Sequence, residues 1–337
     1  MDAETRRSDR QPAHALYYVA PQQAVLRPTS LVPEHDPYVT AIRVHTLFTG
    51  LSRGTERLVF EGKLPQSEWQ RMRAPHQEGD FPFPVKYGYS AVGVVESGPD
   101  WLVGQRVFGL FPHQDQIVAQ VDDVVPVPPG VPPRRAILAA NMETALNGIW
   151  DAGVAPGHDV LIVGAGAVGA LLGAILSRMP GVCAGMVDVR PERAELARTL
   201  GADFFAPDDA PGGADIVFHT SASEAGLRLA LNCAGFEGRI VEMSWFGDQS
   251  VGLPLGEAFH SQRLQLISSQ VGHVAPSHRA RWSHRRRLEQ AVTLLADPRL
   301  DALITEEVAF DDLPQELPRL LAPDSPGLAT AIRYPQA

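Results

Sequence analysis

A chain of 337 residues that is 45% hydrophobic and 20% charged is long enough for about two domains with well-buried cores. Its 30 Gly and 29 Pro make it rich in loops, though short of a low-complexity composition. Two cysteines, Cys183 and Cys233, exclude a disulfide scaffold and a four-cysteine zinc lobe, and a net charge of −10 argues against a nucleic-acid or anionic-membrane surface.

Residues 1 to about 15 are polar and expected to fray. No apolar segment with a cleavage site follows Met1–Arg10, so no signal peptide is expected and the chain reads as cytoplasmic. From Ala15 to about Pro129, short strands are expected at 41–48, 91–95, 105–109 and 116–119, punctuated by Pro and Gly. Pro132 and Pro133 suit a first helical turn, and that helix is expected to run to Trp150. From Asp159 strands and helices alternate. Strands are predicted at 160–163, 184–189, 214–219, 239–244 and 265–269, with helices at 191–200 and 223–233 between them. A last amphipathic helix follows Ser283, with Leu288, Ala291, Val292 and Leu295 on one face. The tail from Ile304 to Tyr334 returns to strand and short-helix signals. The pattern is an α/β fold: a β-rich domain followed by a doubly wound parallel sheet.

The stretch Val160–Ser177 carries no charge over 18 residues, the lower limit for a membrane span. Gly164, Gly166 and Gly169 interrupt it, so a strand, a tight turn and a helix fit it better. The run Val163-Gly-Ala-Gly-Ala-Val168-Gly169 is then a dinucleotide fingerprint in its proper setting. Gly164 makes the turn, Gly166 lets a pyrophosphate approach, and Gly169 lets the helix pack on the strand. Val168 lies in the same turn, and the helix N-terminus offers free N–H groups to phosphates. Asp188, 19 residues after Gly169, is placed to accept from the adenosine ribose hydroxyls. That favours NAD. Arg190 and Arg193 could reach a 2′-phosphate, which keeps NADP open.

Three segments carry a family resemblance: Gly50-Leu-Ser52-Arg-Gly-Thr-Glu56, Lys86-Tyr-Gly-Tyr89-Ser90-Ala-Val-Gly93, and the glycine fingerprint. The chain resembles the medium-chain dehydrogenase/reductase superfamily, the zinc-type alcohol-dehydrogenase-like proteins. Its Ser-Arg-Gly-Thr-Glu run is similar to a branch that includes hydroxyethyl-bacteriochlorophyllide dehydrogenase. The resemblance implies a GroES-like catalytic domain over 1–144, a Rossmann domain over 145–283, and a C-terminal helix with a return to the first domain over 284–337. It also implies a homodimer paired through the sheet edge near Gln265–Ser269. Ser52, Tyr89, Ser90 and Ala140 or Asn141 stand where relatives hold catalytic zinc. None of these is a soft or borderline ligand, so no metal is expected.

Without a metal, hydride transfer needs hydrogen-bond donors and a proton relay. Tyr89 is the preferred donor to a substrate oxygen, with Ser52, Arg53 and Thr55 expected to line the same pocket. Glu56 or Glu143 could act as base, Lys86 could lower the phenol pKa, and His273 could relay a proton. Arg53 and Arg333 match arginines that contact cofactor phosphates in relatives, and Ser221 and Ser244 follow strands past which a cofactor edge would run. The basic run 278–287 most simply pairs with acidic groups of the chain itself. The reaction expected is hydride exchange between a nicotinamide and an alcohol or carbonyl. Reduction of an activated C=C or C=N bond, or dinucleotide sensing without turnover, would use similar residues.

Overall fold

Alternation of buried Ile42, Val44 and Thr46 with more exposed Arg43 and His45 makes Ala41–Leu51 a long strand with one covered face. It is β3, the centre of the β-rich half. In the computed structural model, which describes residues 13–31 and 40–335, this half comprises two sheets. The expectation for the first residues therefore lies, over 1–12, outside the described residues.

The smaller sheet has the order β2-β1-β5-β4, built from β1 (His14–Ala20), β2 (Gln23–Pro28), β4 (Glu78–Gly79) and β5 (Val85–Lys86). The larger sheet sets β3 between a C-terminal strand and β6 (Ala91–Ser97), followed by β7 (Arg106–Gly109) and β9 (Val124–Pro126). β8 (Gln116–Gln120) also pairs with β3. Helix α1 (Arg53–Glu61) leaves β3 directly, buries Leu58, Val59 and Phe60, and stops at Gly62, whose φ of 70° suits a residue without a side chain.

The expected helix from Pro132 to Trp150 is two: α2 (Pro133–Ala136) and α3 (Ala139–Ala152). Between them the Leu138 N–H bonds to the Arg135 carbonyl three residues back, so the chain tightens and restarts. Beyond α3 lies a six-stranded parallel sheet of order β12-β11-β10-β13-β14-β15. Its elements are β10 (Asp159–Val163), α4 (Ala167–Leu176), β11 (Cys183–Val187), α5 (Arg193–Leu200), β12 (Asp203–Phe205), β13 (Ala214–His219), α6 (Glu224–Cys233), β14 (Ala234–Glu242) and β15 (Gln265–Ser268). That is the Rossmann order, with its switch point between β10 and β13. β15 is the sheet edge.

Helix α7 (His284–Leu294) packs Leu288, Ala291 and Val292 into the core that holds Leu171 and Leu172 of α4. The same core holds Val92, Phe108 and Val125 of the β-rich half, so the helix packs where the two halves meet. The return begins later, at β16 (Ile304–Ala309), followed by α8 (Leu313–Leu320) and β17 (Ala329–Arg333), which pairs antiparallel with β3. Among the described residues no helix is long and apolar enough to cross a membrane, and Val160–Ser177 is β10, the glycine turn and α4.

Candidate active site

The glycine turn after β10 opens into a cleft of about 660 Å³ between the two halves. Gly164 adopts φ 112°, which a residue with a Cβ resists. A Cβ on Gly169 would fall 1.9 Å from the Gly164 carbonyl oxygen, so this glycine sets the packing of α4 on the turn. Gly164, Gly166 and Val168 line the cleft, as do Asp188, Arg190, Arg193, Arg53, Ser221 and Ser244.

Asp188 is held from two sides. One carboxylate oxygen accepts the Ala165 N–H at 2.7 Å and the other the Arg190 N–H at 2.9 Å. The arginines around it are engaged elsewhere: Arg190 donates to the Ser325 carbonyl at 2.9 Å and Arg193 to the Pro326 carbonyl at 2.7 Å. Arg53 donates to the carbonyls of Leu320, Ala322, Ser325 and Gly327. Burial and the charges of Arg190, Arg57 and Arg193 push its pKa down. Three guanidinium groups therefore strap the 320–327 loop along one rim.

On the facing wall Ser52, Thr55 and Tyr89 line the cleft beside Asn141, Thr144 and Trp245. The Tyr89 hydroxyl donates to Ser52 Oγ. Burial pushes the phenol up to about 12, against the pull of the Ser52 and Thr55 hydroxyls. Tyr89 is thus a neutral phenol across the ordinary pH range. Lys86 does not assist it: the ammonium turns to Glu78, to Gln114 at 2.8 Å and to Thr29. The phenol pKa rises where the sequence reading had Lys86 lowering it.

Four other candidates are not brought to the cleft. Glu56, on the inner side of α1, is fully buried, accepting the Ser52 N–H and the Tyr18 hydroxyl at 2.7 Å each and meeting His113 Nε2 at 2.9 Å. Glu143 pairs with Arg287 at 2.9 Å in the core, and burial raises its pKa despite that partner. Arg333 pairs with Glu307 at 3.1 Å on the surface. His273 is exposed in the loop after β15. Arg287, from the basic run, does find an acidic partner within the chain, and so does Arg285, in Glu289.

Sequence reasoning missed a buried histidine behind the cleft wall. His219 ends β13, is fully buried, and bonds Glu242 through Nδ1 and Ser221 through Nε2, both at 2.7 Å. Its position at the carboxyl end of a parallel strand beside the switch point was the available signal.

The positions that hold zinc in alcohol dehydrogenases offer a poor donor set. Ser52 accepts from Tyr89, Ser90 donates to the Ile137 carbonyl at 2.6 Å, and Asn141 is an amide. Among the described residues no group of three His, Cys, Asp or Glu could hold a metal ion.

No protein-family model matches the chain. It is 25% identical over 323 residues to D-guloside 3-dehydrogenase of Escherichia coli K12, covering 86% of this chain and 92% of that one. A dehydrogenase of Sinorhizobium meliloti 1021, solved bound to NADP, superimposes with a TM-score of 0.75 at 15% identity, covering 96% of this chain and all of that one. The Escherichia coli L-idonate 5-dehydrogenase superimposes with a TM-score of 0.76 at 16% identity, covering 95% and 98%. The chain shares the fold of these dehydrogenases. Its β-rich half is the GroES-like domain of that fold and its parallel sheet the Rossmann domain.

Proposed function

We propose that the protein is a zinc-independent oxidoreductase that exchanges a hydride between NAD(H) and a secondary alcohol or its ketone on a sugar-like small molecule. The observation that carries this is one cleft holding both the glycine turn with Asp188 and the Tyr89–Ser52 hydroxyl pair. NAD supplies a hydride acceptor when bound. Gly164 and Gly166 would leave room for its pyrophosphate, and Asp188 would accept from its adenosine ribose. Arg190 and Arg193 each spend a guanidinium nitrogen on a carbonyl of the 325–326 segment, and the Asp188 carboxylate beside them supports NAD over NADP.

Hydrogen-bond direction fits alcohol oxidation. Tyr89 donates to Ser52, so its own oxygen is left to accept the O–H of a substrate alcohol. As the hydride leaves carbon, the hydroxyl proton moves to Tyr89, the Tyr89 proton moves to Ser52, and the Ser52 proton passes to solvent in the cleft that it lines. The Thr55, Asn141 and Thr144 side chains supply further polar contacts and Trp245 a flat apolar face, a lining suited to a sugar ring. The guloside dehydrogenase relative supports a ring hydroxyl as the site of oxidation. The hydroxyl and amide donor set supports placing the chain in a zinc-lacking branch of the superfamily. We also place it in the cytoplasm, as a homodimer joined through the β15 edge, where Leu266 is exposed.

The test is a fluorescence titration of chelator-treated protein with NADH and with NADPH, followed by turnover on a panel of methyl glycosides. Saturable binding that prefers NADH, with activity indifferent to added zinc, is the expected result. Failure to bind either nucleotide would overturn the reading.

A further inference from the structure

Glu242, His219 and Ser221 form a line that ends in the cleft. β13 and β14 run parallel, and their register places His219 directly beside Glu242. One Glu242 oxygen accepts the Ser244 N–H at 2.7 Å, and the other meets His219 Nδ1. A carboxylate only accepts, so Nδ1 carries a proton, and in the singly protonated ring Nε2 is an acceptor. Ser221 must then donate its hydroxyl proton to Nε2.

Nearby groups leave one position on the Ser221 oxygen free. Ser223 Oγ lies 2.9 Å from it, and Ser223 already accepts the Gly226 N–H as the cap of α6. The Ser223 proton is therefore available to Ser221, which lines the cleft and keeps one lone pair without a partner among these groups. Space for this cluster depends on a glycine. A Cβ on Gly226 would stand 2.2 Å from Ser221 Oγ and 3.0 Å from His219 Nε2.

Resting on the dinucleotide reading, we propose that the Glu242–His219 pair fixes Ser221 as a hydrogen-bond acceptor for a hydroxyl of the second ribose, the one that bears the nicotinamide. Topology selects that ribose. β11, which leads to Asp188, and β13, which leads to Ser221, flank β10 on opposite sides. A dinucleotide laid across the turn has its adenosine ribose at Asp188 and its other ribose over β13. Ser221 touches the ligand. His219 and Glu242 are positioning residues that set which way its proton points.

ADP, ADP-ribose and NADH test this, because ADP lacks the second ribose and the other two carry it. Ser221→Ala should weaken NADH and ADP-ribose about 3- to 10-fold, the worth of one hydrogen bond, and leave ADP unchanged. Glu242→Gln, whose amide can either donate or accept, should weaken the same two ligands. The double variant should bind no more weakly than Ser221→Ala alone, because both changes remove one interaction. An equal loss for ADP, an unchanged ADP-ribose affinity in Ser221→Ala, or additive losses in the double variant would each overturn the assignment. If the wild-type protein binds none of the three, the dinucleotide reading itself has failed. Thermal melting of Ser221→Ala, a change at an exposed site, confirms that the fold is intact.

Discussion

On the Rossmann wall of the cleft the ligand-facing surface is largely main chain: the turn at Gly164–Val168, held by hydrogen bonds to Asp188, and the N-terminus of α4. On the facing wall it is a set of side-chain hydroxyls, Ser52 and Thr55 from the start of α1 and Tyr89 from just before β6, backed by buried Glu56 and His113. The first wall offers shape and a partial positive charge, which suit a ligand held unchanged through a reaction. The second offers exchangeable protons on a short hydrogen-bonded path, which suit the group that changes. Binding and turnover should therefore separate under mutation, each failing on its own wall.

The largest expected effect lies on the hydroxyl wall. Tyr89→Phe should lower turnover by about 10²- to 10⁴-fold while leaving the NADH dissociation constant unchanged, as read by steady-state kinetics and fluorescence titration. A parallel loss of cofactor affinity would erase the distinction between the walls. Glu56→Leu should act differently. It strands the Tyr18 hydroxyl, His113 and the Ser52 N–H in a dry interior, so unfolding free energy should fall by about 3–5 kcal/mol in a denaturant titration. Were Glu56 itself the base, Glu56→Gln would abolish turnover at unchanged stability.

That contrast also explains what could be read from the chain. The parallel strands announce themselves as short apolar runs such as Val160–Val163, and the fingerprint needs only local spacing, so the Rossmann wall was legible almost residue by residue. Ser52, Thr55 and Tyr89 were legible through motif position. Helix α1 was not, because Gly54 weakens its first turn and its buried face emerges only at Leu58–Phe60. Partner choice was the hidden part. Glu143 is tied to Arg287, 144 residues away, and His219 to Glu242 through strand pairing. A titratable side chain reads as a free acid or base until the fold supplies its neighbour.

On the Rossmann wall the change to make is Gly169→Ala. Its methyl would meet the Gly164 carbonyl oxygen at 1.9 Å and force α4 off the turn. Overpacking of this kind costs about 1–3 kcal/mol, and the lost turn geometry should weaken NADH binding by more than it alters turnover at saturating cofactor. An unaltered NADH affinity would mean that the turn does not shape the site.

The smallest effect expected is an absence of titration. With the Tyr89 phenol pushed from its ordinary 10.0 to about 12 by burial, the folded state favours the protonated form. That contribution to stability is fully present below the unfolded value and is lost as pH rises through about 12. The turnover profile should accordingly show no break from Tyr89 until pH approaches 12. A basic limb near pH 10 that disappears in Tyr89→Phe would show a phenol solvated like free tyrosine. The hydroxyl wall would then be open to water during the reaction, and Ser52 would no longer be the required recipient of its proton.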